Sequence, residues 1–369
     1  MKRTSLIATS VSVAALLTSI VPSYADAMSD LVAAATKEGQ LTVIALPHNW
    51  CGYGAVIDSF KKKYPGITVN ELNPDAGSGD EVQAIEANKG NTGPQAPDVI
   101  DVGLGYGPTA KEQKLIQPYK VSTWDSIPDT AKDADGYWYG DYYGVMSFIV
   151  NTDIVTNVPK TWADLQNSEY KNSVALAGPP RTAAQGIQGV YAAGLASNGG
   201  NADTAADAGL QFFKKLNAAG NFVPVTGNAA PVAQGTTPIV AAWDYNALAW
   251  RDGFAGNPKA EVVVPSDAVL AGVYIQAISA YAPHPNAAKL WEEYLYSDEG
   301  QIGWLAGYCH PIRFNDLAKN GKVPADLLAK LPSADLYAKA VFPTLDQLNA
   351  ANKTITGQWD SVVGADVSK

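Results

Sequence analysis

Apolar and polar positions along this chain fall into short runs whose period switches repeatedly between that of a helix and that of a strand. Residues 31–37 read as a short helix ending at Gly39, and residues 41–46 as a compact apolar strand. Residues 55–64 set Val56, Ile57, Phe60 and Tyr64 on one side of a helix that stops at Pro65-Gly66. A second strand over 67–72, a second helix over 80–89 and a third strand over 98–102 follow, the helix preceded by Gly77-Ser78-Gly79. This β-α-β-α-β order predicts a mostly parallel sheet flanked by helices. Ligands of such sheets bind beyond the carboxyl ends of the strands, here the loops 48–54, 73–79 and 103–108.

The middle of the chain repeats the theme. Residues 138–143 form a dense aromatic loop, and 144–150 an apolar strand running into Asn151. Thr161 is placed to N-cap a helix opened by Pro159. Strands over 174–177 and 239–243 bracket an Ala/Gly-rich helix introduced by Gly178-Pro-Pro-Arg181-Thr182. A second α/β unit therefore spans about 151–265, after which a strand over 271–281 returns toward the first. Residues 285–296 pattern as a helix with Leu290, Trp291, Tyr294 and Leu295 on one face; Trp162, Trp291 and Trp304 read as core. The expected division is 26–148 with 271–312 as one lobe, 149–270 as the other, and helices over 313–369 packed on both. Two crossings, near 147–151 and 266–273, leave one cleft between lobes that close by hinge motion.

The first residues change the setting. Lys2 and Arg3, an apolar stretch over 6–21 and Ser23-Tyr24-Ala25 have the form of a signal peptide cut after about Ala25, so an exported, soluble protein is expected. Export puts Cys51 and Cys309 in an oxidising compartment. A single disulfide ranks first, two free thiols second, and a zinc set completed by His48 and His310 third. With 26 Lys and Arg against 36 Asp and Glu the net charge is −10, which argues against a duplex or membrane-surface binder. At 47% hydrophobic and 17% charged, the 369 residues suit two folded domains.

Signals for catalysis are weak. There is neither a G-x-S-x-G elbow nor a G-x-x-x-x-G-K-[ST] phosphate loop, and Gly103-x-Gly105-x-Gly107 is not a dinucleotide fingerprint. No cofactor, metal or catalytic residue is assigned, and an exported hydrolase using Asp or Glu stands as the rival class. Signals for binding are better. Ser78 and Gly79 open a helix whose unpaired N–H groups can hold an anion or a hydroxyl, against plain capping. Arg181 and Thr182 repeat this in the second unit, with a guanidinium able to grip a carboxylate or phosphate, against a surface ion pair. Aromatic residues collect at strand ends: Trp50 and Tyr53, Tyr106, Tyr142 within the aromatic loop, Trp243 and Tyr245 flanking Asp244, and Tyr274 on the returning strand. Rings beside carboxylates box cations, and rings alone stack on sugars.

Several stretches taken in order resemble the periplasmic solute-binding proteins of ABC importers: Leu41-Thr-Val-Ile, Phe60-Lys-Lys-Lys-Tyr-Pro-Gly-Ile-Thr-Val69, Pro97-Asp-Val-Ile-Asp-Val102, Pro159-Lys-Thr-Trp-Ala-Asp-Leu165, the helix from His284 to Gln301, and Cys309-His-Pro-Ile-Arg313. The resemblance covers nearly the whole mature chain and points to the branch with ferric-iron, polyamine, phosphonate and sugar-phosphate binders. It implies a two-lobed type II fold, capture of a small polar solute in the cleft, delivery to an inner-membrane ABC permease from the periplasm, and a monomer. Iron binders of the branch use paired tyrosines, whereas Tyr245 stands alone here. The Asn49-Trp50 loop and Trp243-Asp244 are similar to polyamine binders, so a polyamine, other amine or polyol is the expected ligand. A phosphonate or sugar phosphate held by Arg181 is the alternative.

Overall fold

The computed structural model describes residues 24–332, 334–337 and 339–367. The leader expected over 1–25 lies outside them, apart from Tyr24 and Ala25, which begin the first helix, α1 (Tyr24–Glu38). The predicted alternation follows as β1 (Gln40–Ile44), α2 (Tyr53–Lys63), β2 (Thr68–Leu72), α3 (Ser78–Ala87) and β3 (Val99–Gly103), then α4 (Gly107–Glu112) and β4 (Ile116–Gln117). Helix α2 buries Tyr53, Val56, Ile57 and Phe60, the face marked by their spacing. Strands β1 and β2 pair in parallel.

The aromatic stretch expected as a loop at 138–143 is instead, from Tyr139, the first half of a long strand, β5 (Tyr139–Asn151). Aromatic side chains suit a pleated, half-buried surface. Here Tyr139 to Val145 are hydrogen-bonded alongside a later strand, while Met146 to Asn151 continue into the second lobe. That lobe holds β6 (Val174–Leu176), α5 (Ala184–Ser197), α6 (Ala205–Ala218), β7 (Phe222–Thr226), α7 (Ala229–Gln234), β8 (Ile239–Trp243), α8 (Asp244–Gly253) and β9 (Ala260–Val263). Thr161 and Asp164 do cap each other, Thr161 Oγ1 accepting from the Asp164 N–H and the Asp164 carboxylate from the Thr161 N–H, each at 3.0 Å. The expected helix is only one tight turn, Ala163–Gln166, because Asn167 turns extended.

Strand β10 (Ala271–Ser279) returns to the first lobe, followed by α9 (Pro285–Leu295), α10 (Asp298–Ala306) and β11 (His310–Pro311). One sheet runs in the order β3-β10-β5-β8-β6-β7 through both lobes. Strand β6 pairs in parallel with β7 and β8, while β10 is antiparallel to β3 and β5, and β5 is antiparallel to β8. The molecule is thus a two-lobed mixed α/β fold with helices covering the sheet. Trp162, Trp291 and Trp304 are fully buried in its core. The C-terminal helix Leu345–Val362 packs on α5, α6 and the turn Leu104–Tyr106. Among the described residues no helix is long and apolar enough to cross a membrane.

Cys51, just ahead of α2, is joined to Cys309, just ahead of β11, with their Cα atoms 5.4 Å apart across 258 residues. With both sulfurs bonded to each other, a zinc set is ruled out for them, and His48 is taken by Glu71 instead. The bridge ties together the start of α2 and the start of β11, which lie far apart in the sequence. Replacing both cysteines by Ala should lower unfolding stability by about 2–5 kcal/mol, since the open loop regains its freedom in the unfolded chain. Urea unfolding measures this, and an unchanged midpoint would contradict it.

Candidate functional site

A cavity of about 640 Å³ lies between the lobes. The first lobe contributes Asn49, Trp50, Asp75, Ser78, Glu81, Asp101 and Tyr274 to its wall. The second contributes Thr182, Gln185, Asn228, Asn246 and Trp250. Every charged side chain on this wall is a carboxylate; Lys, Arg and His are absent from its described lining residues.

Strand ends and helix starts put these groups there. Trp50 follows β1 in the loop held by the disulfide, and its Nε1–H donates to the Tyr142 hydroxyl at 2.7 Å. Its ring meets Tyr245 and Tyr274 edge-on, with centroids 5.3 and 5.2 Å apart. Asp101 interrupts the apolar run of β3. Its Oδ2 accepts from the Tyr142 hydroxyl at 2.6 Å and the Tyr53 hydroxyl at 2.7 Å, and its Oδ1, itself buried, has no hydrogen-bond partner among the described residues. Glu81, one turn into α3, accepts from the Asp101 N–H at 2.9 Å through Oε2. Gln276 on β10 donates to Tyr53 and to Asp141, both at 2.9 Å, which extends the network behind the wall.

Burial dominates the electrostatics. It pushes the Asp101 carboxyl up to about 7, against the pull of the two phenol hydrogen bonds. It also holds Glu81, Asp141 and Glu292 well above the ordinary carboxyl range, and Asp101 adds like-charge repulsion to each.

The residues singled out in the sequence divide into four groups. Trp50, Ser78, Thr182 and Tyr274 line the cavity. Tyr53, Tyr142, Trp243 and Tyr245 are fully buried behind it. The Trp243 ring lies so close to β10 that a Cβ on Gly272 would come 2.0 Å from it, so the strand needs a glycine there.

Gly79 and Tyr106 form a seam between the lobes, where the Gly79 N–H (3.1 Å) and the Tyr106 hydroxyl (3.3 Å) both donate to the Thr182 carbonyl. The two helix starts marked separately as anion sites therefore meet each other, and the Gly79 N–H serves the interlobe contact rather than a ligand. Arg181 and Asp244 point elsewhere. The Arg181 guanidinium pairs with Asp360, at 3.3 Å, and with Asp366 of the C-terminal segment, which is the surface ion-pair reading. Asp244 is buried and accepts from the Val145 N–H at 2.9 Å and from the Tyr337 hydroxyl, so Trp243-Asp244 does not face the cavity.

Sequence reasoning passed over Glu81, Asp101, Gln185, Asn228, Asn246 and Trp250. The one local signal was an acid inside an apolar strand ahead of a glycine loop, at Asp101.

Asp244 is likewise raised by burial, to about 6. All these acids hold a proton more tightly folded than unfolded, so their contribution to stability is complete below the unfolded carboxyl range and is lost as pH rises through the folded values. The ligand-free protein should melt at a higher temperature near pH 5 than near pH 7.5. Calorimetry at the two pH values checks this, and the reverse order would contradict it.

A family model described as bacterial extracellular solute-binding protein matches residues 95–347. A periplasmic protein of Salmonella typhimurium LT2, assigned to 2-aminoethylphosphonate binding, is 26% identical over 331 residues, covering 86% of each chain. Among solved structures, the periplasmic binding protein AfuA from Actinobacillus pleuropneumoniae, with fructose-6-phosphate bound, gives a TM-score of 0.69 at 21% identity over 88% of this chain and 99% of that one. A substrate-binding protein of an ABC transporter from Bradyrhizobium japonicum USDA 110 gives the same TM-score and coverage at 18% identity. These likenesses show the fold, two lobes around a cleft, and the family model spans most of the chain. The chain belongs to the bacterial extracellular solute-binding protein family.

Proposed function

We propose that this protein is a periplasmic carrier that closes its lobes on a small amine-bearing solute and hands it to an ABC permease. One observation carries the choice of an amine: the cavity wall has three carboxylates, Asp75, Glu81 and Asp101, and no cationic side chain among its described residues. A solute with only negative charge finds no cationic side chain to pair with on that wall, and it would be repelled by each of these acids that is ionised. Trp50 and Tyr274 add ring faces, which attract ammonium groups. Removing Arg181 from the cleft removes the main support for a purely anionic ligand.

An amine that also carries an anionic group fits within this class. Ala184 and Gln185, the first two residues of α5, line the opposite wall, and the first N–H groups of a helix lack partners within it and carry partial positive charge. The acids would then face the ammonium end, and the start of α5 the anionic end. The Salmonella relative's aminophosphonate is a molecule of this kind.

A thermal-shift series with 2-aminoethylphosphonate, 1,4-diaminobutane, ethylphosphonate and fructose 6-phosphate tests the reading. An amine ligand at a thousandfold excess over its Kd should stabilise the protein by about 4 kcal/mol, and the two amine-free anions should leave the melting temperature unchanged. Stabilisation by an amine-free anion, with neither amine acting, would overturn it.

Arg181→Ala should leave affinity for the amine unchanged and shift stability by less than about 1 kcal/mol, because its ion pairs are at the surface. Titration calorimetry on the variant checks this, and a marked loss of affinity would place Arg181 in the binding mechanism after all.

A further inference from the structure

We propose that the Tyr308 hydroxyl and the Asp252 carboxylate form a latch across the lobes, and that these two positioning residues set how long a captured solute stays without lining its cavity. The inference rests on the carrier reading, in which closed lobes hold the solute, and not on the choice of an amine.

The pair spans the cleft. Tyr308 lies between α10 and β11 of the first lobe, Asp252 in the last turn of α8 of the second, and the Tyr308 hydroxyl donates to Asp252 Oδ2. Neither is among the residues lining the cavity, but their neighbours are. Tyr308 adjoins Cys309, whose bridge partner Cys51 follows Trp50, and Asp252 comes two residues after Trp250. The hydrogen bond therefore ties the chain beside one aromatic residue of the wall to the chain beside another, one from each lobe. It is separate from the seam at Thr182, where Gly79 and Tyr106 donate.

Both halves of the pair are held ready. Arg251 takes the other oxygen of Asp252, Oδ1, with Nε at 2.8 Å and Nη2 at 2.7 Å, which fixes the carboxyl and leaves Oδ2 to Tyr308. Burial opposes ionisation of Asp252, but the Tyr308 and Arg251 hydrogen bonds outweigh it and hold the carboxyl below its ordinary value, so the acceptor is charged near neutral pH. On the first lobe, Tyr308 is held at φ +72° and Cys51 at φ +47°, left-handed conformations that are costly for a residue with a side chain. The Cys51–Cys309 bridge and a backbone contact keep them there: a Cβ on Gly307 would come 2.1 Å from the Cys51 carbonyl. Strain of this kind persists where the surroundings over-determine it, and here it directs the phenol to the opposite lobe.

Opening the lobes must break this bond, whereas a solute entering an open cleft does not meet it. The latch therefore slows release and leaves capture nearly unchanged, and it favours the closed form even when the cleft is empty.

The experiment compares the native chain with Tyr308→Phe, Asp252→Ala and the double variant. Tyr308→Phe keeps the ring and removes only the hydroxyl. Without solute, small-angle scattering should give each variant a larger radius of gyration than the native chain, since open forms gain population. With 2-aminoethylphosphonate or 1,4-diaminobutane bound, stopped-flow displacement should show release about tenfold faster from Tyr308→Phe, at a nearly unchanged association rate. The double variant should release no faster than Asp252→Ala, because the same bond is lost only once. Asp252→Asn, which keeps an acceptor for the phenol, should recover most of the native rate.

Equal radii of gyration for the native chain and Tyr308→Phe would overturn the inference whichever solute binds, and so would an unchanged release rate. Effects that multiply in the double variant would show Tyr308 and Asp252 acting apart and overturn it as well. Binding of ethylphosphonate alone would remove the amine reading, and the release rates would then be read with that anion. If none of these solutes binds, the difference in radius still decides: present, it supports the latch; absent, it ends it.

Discussion

From Tyr139 to Val145 the strand β5 pairs with β10, with one register shift at Asp141, and from Met146 to Val150 the same strand pairs with β8, so one strand belongs to both lobes. Side chains alternate faces along a strand, and a slip of one residue would turn every one of them over. The ladder therefore fixes Tyr142 opposite Tyr274, their rings stacked 5.6 Å apart, and so fixes the phenol that holds Asp101. The floor of the cleft and the crossing into the second lobe are parts of the same hydrogen-bonded strand.

The sequence made the two-lobed α/β fold readable because burial imposes period. Short apolar strands and one-sided helices announce themselves wherever one face meets a core, as in α2 and α9. The aromatic stretch at 138–143 misled because tyrosine and tryptophan fit a loop by their polar ends and a strand by their rings, and only pairing with β10 decides between the two. The site was less readable. Arg181 sits in the right loop, but the direction of a long side chain depends on partners far along the chain, here Asp360 and Asp366. Trp243-Asp244 is the same case on a shorter scale, since Asp244 is taken by the backbone of Val145 and by Tyr337. Asp101 was visible as an acid within β3, but its meaning needed the depth of burial and the neighbouring acids, which come from three other elements.

Buried carboxyls without cations work against stability, and a fold tolerates them where function requires it. The cluster behind the cleft is held in place by neutral donors, Tyr53, Tyr142 and Gln276, which orient the acids without neutralising them. Neutral donors leave these acids without a counter-ion, whereas a lysine in the same place would have paired with one of them.

The seam at Gly79 and Thr182 also gauges the chamber. Hydrogen atoms alone stand between the two backbones there: a Cβ on Gly77 or Gly79 would lie 3.1 or 3.2 Å from the Thr182 carbonyl oxygen. The two backbones are already in contact there, so the cavity is bounded at this seam. An alanine at either position would press on Thr182, which itself lines the cavity, so the join between the halves would have to loosen to admit it.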